Sequence, residues 1–168
     1  LLKSYGIYQY VELDAGANPI QNRAILVNSI IAMGYEYAIF GDSDDYFCNE
    51  RVEFSLQLLS NYDLVANDID VVSHQGIILK NSYVSDRFSD GHEISIKDIL
   101  TKNFIGLSNT AIRLNGMRPI TLDDRLIAVD WYLFSNFLIR CKSAIFTSRI
   151  KTFYRQHGNN TVGFGGLC

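Results

Sequence analysis

Tyr37-Ala38-Ile39-Phe40 is an uninterrupted apolar run, and Gly41-Asp42-Ser43-Asp44-Asp45 follows it at once. Such a run reads as a strand covered on both faces of a largely parallel sheet. The turn then sets three carboxylates within four residues at the strand's carboxyl end. That crowding costs stability unless a cation or ordered donors offset the repulsion. A divalent metal is the economical answer, because all-oxygen ligands suit magnesium or manganese, which keep positions open for phosphate oxygens. The place agrees, since ligands of open α/β sheets bind beyond the carboxyl ends of strands. Taken alone, the turn reads as readily as a cap for the next helix. An EF-hand calcium loop would put Asp42, Asp44 and Glu53 at its first, third and twelfth places, but Tyr46 and Phe47 fall at its fifth place and its glycine place.

The flanks predict alternating helices and strands. Tyr10 to Leu13 reads as a short strand and Asp14 to Ala17 as its turn. Asn18 caps a helix with Pro19 at its first position; Ile20, Ala24, Val27 and Ile31 recur at helical spacing until Gly34. After the acidic turn, Asn49 is a second candidate cap, with Val52, Leu56 and Leu59 as the apolar stripe of its helix. Strands follow at 63–72 and 76–80, and the polar segment 81–93 reads as a mobile loop. Ser95-Ile96-Lys97-Asp98 is a capping box, 108–114 a strand before the Asn115-Gly116 turn, 126–141 a long helix, and 144–147 and 151–154 two closing strands. Order and length together predict a single α/β domain over residues 1–168.

Charge excludes one class of partner. Fifteen Lys and Arg against eighteen Asp and Glu leave a net charge of -3 with no basic run, so no nucleic-acid footprint is present. Cys48, Cys141 and Cys168 are odd in number and widely spaced, which fits a reducing compartment better than a disulfide framework. No apolar stretch reaches the roughly 20 residues needed to span a bilayer. The expected location is cytoplasmic.

Two further positions carry chemistry. Asp130 interrupts Leu126 to Val129 and Trp131 to Phe134, a charge among groups that solvate it poorly. Read locally, it caps a helix starting at Trp131. Arg155 and His157 lie in a polar tail, Tyr154 to Asn160, where such residues are usually just solvated.

The stretch from Ala32 to Asp45 resembles the D-x-D region of family 2 glycosyltransferases, and the Val129-Asp130-Trp131 and Tyr154 to Asn160 segments are similar to that family's E-D and Y-R-x-H-x-x-N motifs, in the family's order. The resemblance implies a GT-A-type fold, a mixed, mostly parallel sheet flanked by helices. It also implies sugar transfer with inversion from a nucleoside-diphosphate sugar to an acceptor hydroxyl. By this resemblance Asp42 and Asp44 bind Mn2+ or Mg2+ with His157 as a further ligand. Asn18, Asn22, Arg23, Asp42, Asp45 and Arg155 bind the donor, and Asp130 is the catalytic base. Val129 stands where the family usually has Glu. The implied partners are a UDP- or GDP-sugar and a saccharide or lipid-linked acceptor, with peripheral association at the inner face of a membrane. The family's opening strands, which bind the nucleotide base, have no counterpart before Leu1, so an N-terminally truncated domain is expected. Two other classes compete: a non-catalytic GT-A-like binding module, and a metal-dependent phosphohydrolase on another α/β fold with Asp42 as nucleophile.

Overall fold

The computed structural model describes residues 18–140 and 143–156. The expected strand at 10–13 with its turn, Cys141, Cys168 and His157 lie outside the described residues. Helix α1, Pro19–Ala32, begins as its sequence dictates: the Asn18 side chain accepts from the Ile20 N–H at 2.9 Å and Pro19 takes the first turn. Past its end, Gly34 adopts φ +75°, a left-handed conformation that glycine takes without strain. Strand β1, Tyr37–Ile39, leads into the acidic turn, then β2, Tyr46–Phe47, and α2, Arg51–Leu59. The long strand β3, Leu64–Ser73, turns back into β4, Ile78–Lys80. A short helix α3, Ile96–Ile99, a 3-10 turn at Leu107–Asn109, β5, Thr110–Arg113, helix α4, Val129–Arg140, and β6, Ala144–Gln156, complete the order.

The sheet runs β1-β5-β3-β6-β2, with β4 paired to β3. Its connectivity corrects the expectation of a mostly parallel sheet. Among the described residues only β3 and β6 run parallel, from Leu64 opposite Ala144 to Ser73 opposite Gln156 with a register shift between Asn67 and Asp68; the β1–β5, β5–β3, β3–β4 and β2–β6 pairings are antiparallel. The chain is an α/β fold with a mixed sheet. The apolar run that suggested a strand covered on both faces lies at one end of the described sheet, and only Ala38 in it is buried. The strand buried on both faces is β3, whose Leu64 to Val72 are all buried, Asn67, Asp68 and Asp70 included. Its alternation divides the core. Leu64 and Ala66 join Phe104, Ile105, Phe134 and Phe146 on one face, whereas Val65 joins Leu59, Ala111 and Ile145 on the other.

Three local expectations change. Helix α2 buries Arg51, Ser55 and Leu59, leaving Val52 and Leu56 exposed, and its cap position is Glu50 rather than Asn49. The helix is turned by about one residue from its apolar stripe, because Arg51 has partners beneath the acidic turn. The two closing strands are one strand, β6, with an irregularity opposite Asn67 and Asp68. Residues 81–93 are fastened rather than loose: the buried Asp68 carboxylate accepts from the N–H groups of Val84 and Ser85 and from Ser85 Oγ, and Asp70 accepts from the Ser82 N–H. Farther along, Asp90 accepts from Thr147 Oγ1 and the Ser148 N–H. The capping box forms as expected, with Asp98 accepting from both the N–H and the hydroxyl of Ser95.

Candidate functional site

The acidic turn is built by exchange with the 3-10 turn before β5. The Asp42 N–H donates to Ser108 Oγ at 2.9 Å, and the Ser108 hydroxyl donates to Asp42 Oδ2 at 3.1 Å. Asp45 points inward, its Oδ1 accepting the Arg155 N–H at 2.8 Å, while its buried Oδ2 meets no hydrogen-bond partner among the described residues. Burial pushes the Asp45 carboxyl up; Ser108 and the Arg155 N–H oppose the rise, and the charges of Asp44 and Asp42 add to it. Asp44 is exposed, and its carbonyl accepts from Arg155 Nε at 2.8 Å. Gly41 allows the turn to close, because a Cβ there would stand 2.8 Å from Phe47 Cζ.

Beneath the turn lies a cation, Arg51, that no local motif announces. Arg51 is buried, stacks on Phe47 at 4.2 Å, and donates to the Phe40 carbonyl at 2.7 Å and to Asn67 Oδ1 at 3.1 Å. Burial lowers its guanidinium to about 10, against the pull of Cys48 and Asp45. Part of the repulsion that argued for a metal is thus offset by protein groups.

Asp130 enters from the first turn of α4 and does not cap its own helix. Its Oδ2 accepts the Leu107 N–H at 3.2 Å, and its Oδ1 stands 3.7 Å from Arg23 Nη1 with no hydrogen-bond partner among the described residues. Burial pushes the Asp130 carboxyl up, Arg23 and the Leu107 N–H pull it back, and the Asp42 charge adds to the rise. The adjoining Trp131 is pinned through its indole N–H to the Ile99 carbonyl at 2.8 Å. Arg23 reaches Asp130 because α1 is tied to the segment before α4: Asn28 and Ile120 exchange two hydrogen bonds, and Gln21 donates to Asp124.

The fold therefore gathers Asp42, Asp45, Asp130, Arg23 and Arg155 from four separate stretches of chain. Asn18 spends its side-chain oxygen on the α1 cap, and Asn22 lies half-buried on the same helix. Arg155 serves the protein itself, since its side chain also donates to the His74 carbonyl at 2.9 Å. Ser108 and Arg51 are the residues sequence reasoning missed. Neither carries a local signal: a serine before a strand and an arginine opening a helix both read as solvated positions.

Among the described residues no three His, Cys, Asp or Glu side chains gather as a metal-holding group. Asp42 and Asp44, two carboxylates on an open turn, still suit a hard divalent ion that takes its remaining ligands from water and phosphate. Compared with known proteins, the sequence matches no family model and no curated protein, so the chemistry open to this site rests on its own geometry.

Proposed function

We propose that the chain is the metal-binding and acceptor-side portion of a GT-A-type glycosyltransferase that moves a sugar, with inversion, from a UDP- or GDP-sugar to a saccharide or lipid-linked acceptor. One observation carries the reading. Asp130, a half-buried carboxylate on α4, is joined to the acidic turn through one short stretch of chain, because the Leu107 N–H donates to Asp130 and the adjacent Ser108 donates to Asp42; burial raises the Asp130 carboxyl and the Asp42 charge adds to the rise. A carboxylate with a raised pKa is a better proton acceptor than an ordinary one. Asp130 takes the proton of the acceptor hydroxyl as its oxygen bonds to the anomeric carbon and the bond to the diphosphate breaks. Arg23 and the Leu107 N–H hold that carboxylate in place.

Asp42 and Asp44 would hold Mn2+ or Mg2+, whose bound charge offsets that of the departing diphosphate. Ser108 fixes the Asp42 carboxylate, and Arg155 fixes the turn through the Asp44 carbonyl and Asp45. Asp130→Asn is expected to lower donor turnover by at least about a hundredfold while nucleotide affinity stays unchanged. Turnover is read from release of diphosphonucleoside with a panel of UDP- and GDP-sugars; full turnover in the variant would remove Asp130 from the reaction.

A second reading, a non-catalytic GT-A-like binding module, is favoured by the same turn seen from below. Arg51, Arg155 and Ser108 already supply donors and charge around it. This reading predicts saccharide or nucleotide binding with no turnover of any donor.

A further inference from the structure

Beneath the candidate site runs a buried polar seam that the transfer chemistry leaves unused. Arg51 Nε donates to Asn67 Oδ1 at 3.1 Å, Asn67 Nδ2 donates to Thr152 Oγ1 at 3.0 Å, and Thr152 Oγ1 donates to the Ser108 carbonyl at 2.7 Å. Asn109 closes the seam. Its Nδ2 donates to the Asn67 carbonyl at 2.8 Å and to the Phe104 carbonyl at 3.0 Å, and its Oδ1 accepts the Gly106 N–H at 2.8 Å. Arg51, Asn67, Asn109 and Thr152 are all buried. We infer that Asn109 is a positioning residue, which sets the spacing of Asp42 and Asp130 by holding the 3-10 turn between them to β3. The consequence for transfer rests on the roles proposed for those two carboxylates; the placement itself does not.

Three features point to placement rather than to stability alone. First, the turn meets both carboxylates through neighbouring residues: the Leu107 N–H donates to Asp130, and Ser108 exchanges two hydrogen bonds with Asp42. A shift of the turn moves both contacts together. Second, the bonds around Gly106 select which N–H faces Asp130. The Gly106 N–H goes to Asn109 and its carbonyl accepts from Thr110 Oγ1 at 2.7 Å, so the Leu107 N–H is the one that Asp130 receives. A Cβ on Gly106 would stand 3.6 Å from Asn109 Oδ1 and 3.7 Å from Asp130 Oδ2, which puts the Asn109 amide and the carboxylate on either side of one residue. Third, asparagine offers two N–H donors and an acceptor in one plane, and all are used on backbone groups here. Apolar packing of the same volume could hold the sheet, but it is non-directional, whereas hydrogen bonds fix where the turn points.

The test compares the native chain with Asn109→Ala and with Val65→Ala. Val65 packs against Leu59, Ala111 and Ile145 on the other face of the sheet, so its truncation lowers stability without touching the seam. Amide exchange is followed by NMR at Leu107 and Asp42, whose N–H groups are bound to Asp130 and Ser108. Asn109→Ala is expected to quicken both amides at least about tenfold beyond Val65→Ala. It is also expected to lower turnover at least about tenfold. The acid limb of the turnover profile should move to higher pH, because Asp130 loses the N–H that opposes its rise while Arg23 and Asp42, the charged groups that act on it, stay unchanged.

Thr152→Val covers the case in which Asn109→Ala does not fold. It keeps the three Asn109 bonds and releases the Ser108 carbonyl, so the Asp42 amide is expected to quicken while the Leu107 amide stays protected. Equal exchange of both amides in Asn109→Ala and Val65→Ala overturns the inference. So does a native turnover profile in folded Asn109→Ala, or quickening of the Leu107 amide alongside Asp42 in Thr152→Val. Quickened amides in Asn109→Ala, when the native chain turns over no donor, would remove the transfer reading and leave the placement standing.

Discussion

Gly41 is the residue on which the acidic turn closes. The Phe47 ring fills the space a Cβ would need, and that ring carries the Arg51 guanidinium. Gly41→Ala must displace the ring and loosen the stack beneath Asp45, and is expected to cost about 1–3 kcal/mol in urea unfolding. Phe47→Leu in the same background should recover part of the loss; an undiminished midpoint in Gly41→Ala would show that the ring moves freely. The two raised carboxyls make a different prediction. Asp45 and Asp130 both lie above the ordinary carboxylate value of 3.8. Each therefore contributes stability that is complete below the unfolded-chain value and lost as pH rises through its raised folded value. Asp130→Asn removes that loss for its site, so the variant should exceed the native chain in stability at neutral pH by up to about 1 kcal/mol. The difference should disappear once the native carboxyl is protonated, as followed by urea unfolding across the acid range. Stability and turnover thus move in opposite directions in one variant, as expected of a charge kept for function.

At the scale of elements, β3 decides the architecture. Asp68 lies within it fully buried, and its carboxylate accepts from the N–H groups of Ile69, Val84 and Ser85 and from the Ser85 hydroxyl. Asp68→Ala leaves those donors without a partner and is expected to cost about 3 kcal/mol. Hydrogen exchange should quicken across 81–93 before the rest of the sheet; uniform protection would mean that another contact fastens the segment. This network also explains what the sequence hid. Local signals with one physical cause were readable: the Asn18-Pro19 start of α1, the Ser95 box of α3, and the apolar run of β1. Residues 63–72 read as a strand, but not as one buried on both faces, because Asn67, Asp68 and Asp70 interrupt its apolar residues and the partners that make their burial tolerable are far away in the chain. Arg51 misled for the same reason. Its Asn67 and Phe40 partners exist only once α2 lies across the sheet, so the Val52-Leu56 stripe looked like the buried face when it is not.

For the whole molecule, direction of pairing was the least legible property. An apolar strand fits an antiparallel neighbour as well as a parallel one, and among the described residues only the long β3–β6 pairing is parallel. What the assembled sheet does accomplish is convergence: α1, the turn after β1, the turn before β5 and the start of α4 bring Arg23, Asp42, Ser108 and Asp130 to one place. No helix among the described residues is long and apolar enough to cross a membrane. The central claim is that this convergence serves a nucleotide-sugar donor held through a divalent ion at Asp42 and Asp44. The most direct measurement is calorimetric titration of the chain and of Asp44→Asn with UDP and GDP, each with and without Mn2+. The account predicts binding of one nucleotide by the native chain that requires Mn2+ and is lost in Asp44→Asn. Binding that is indifferent to Mn2+ or to Asp44, or no binding of either nucleotide, would contradict it.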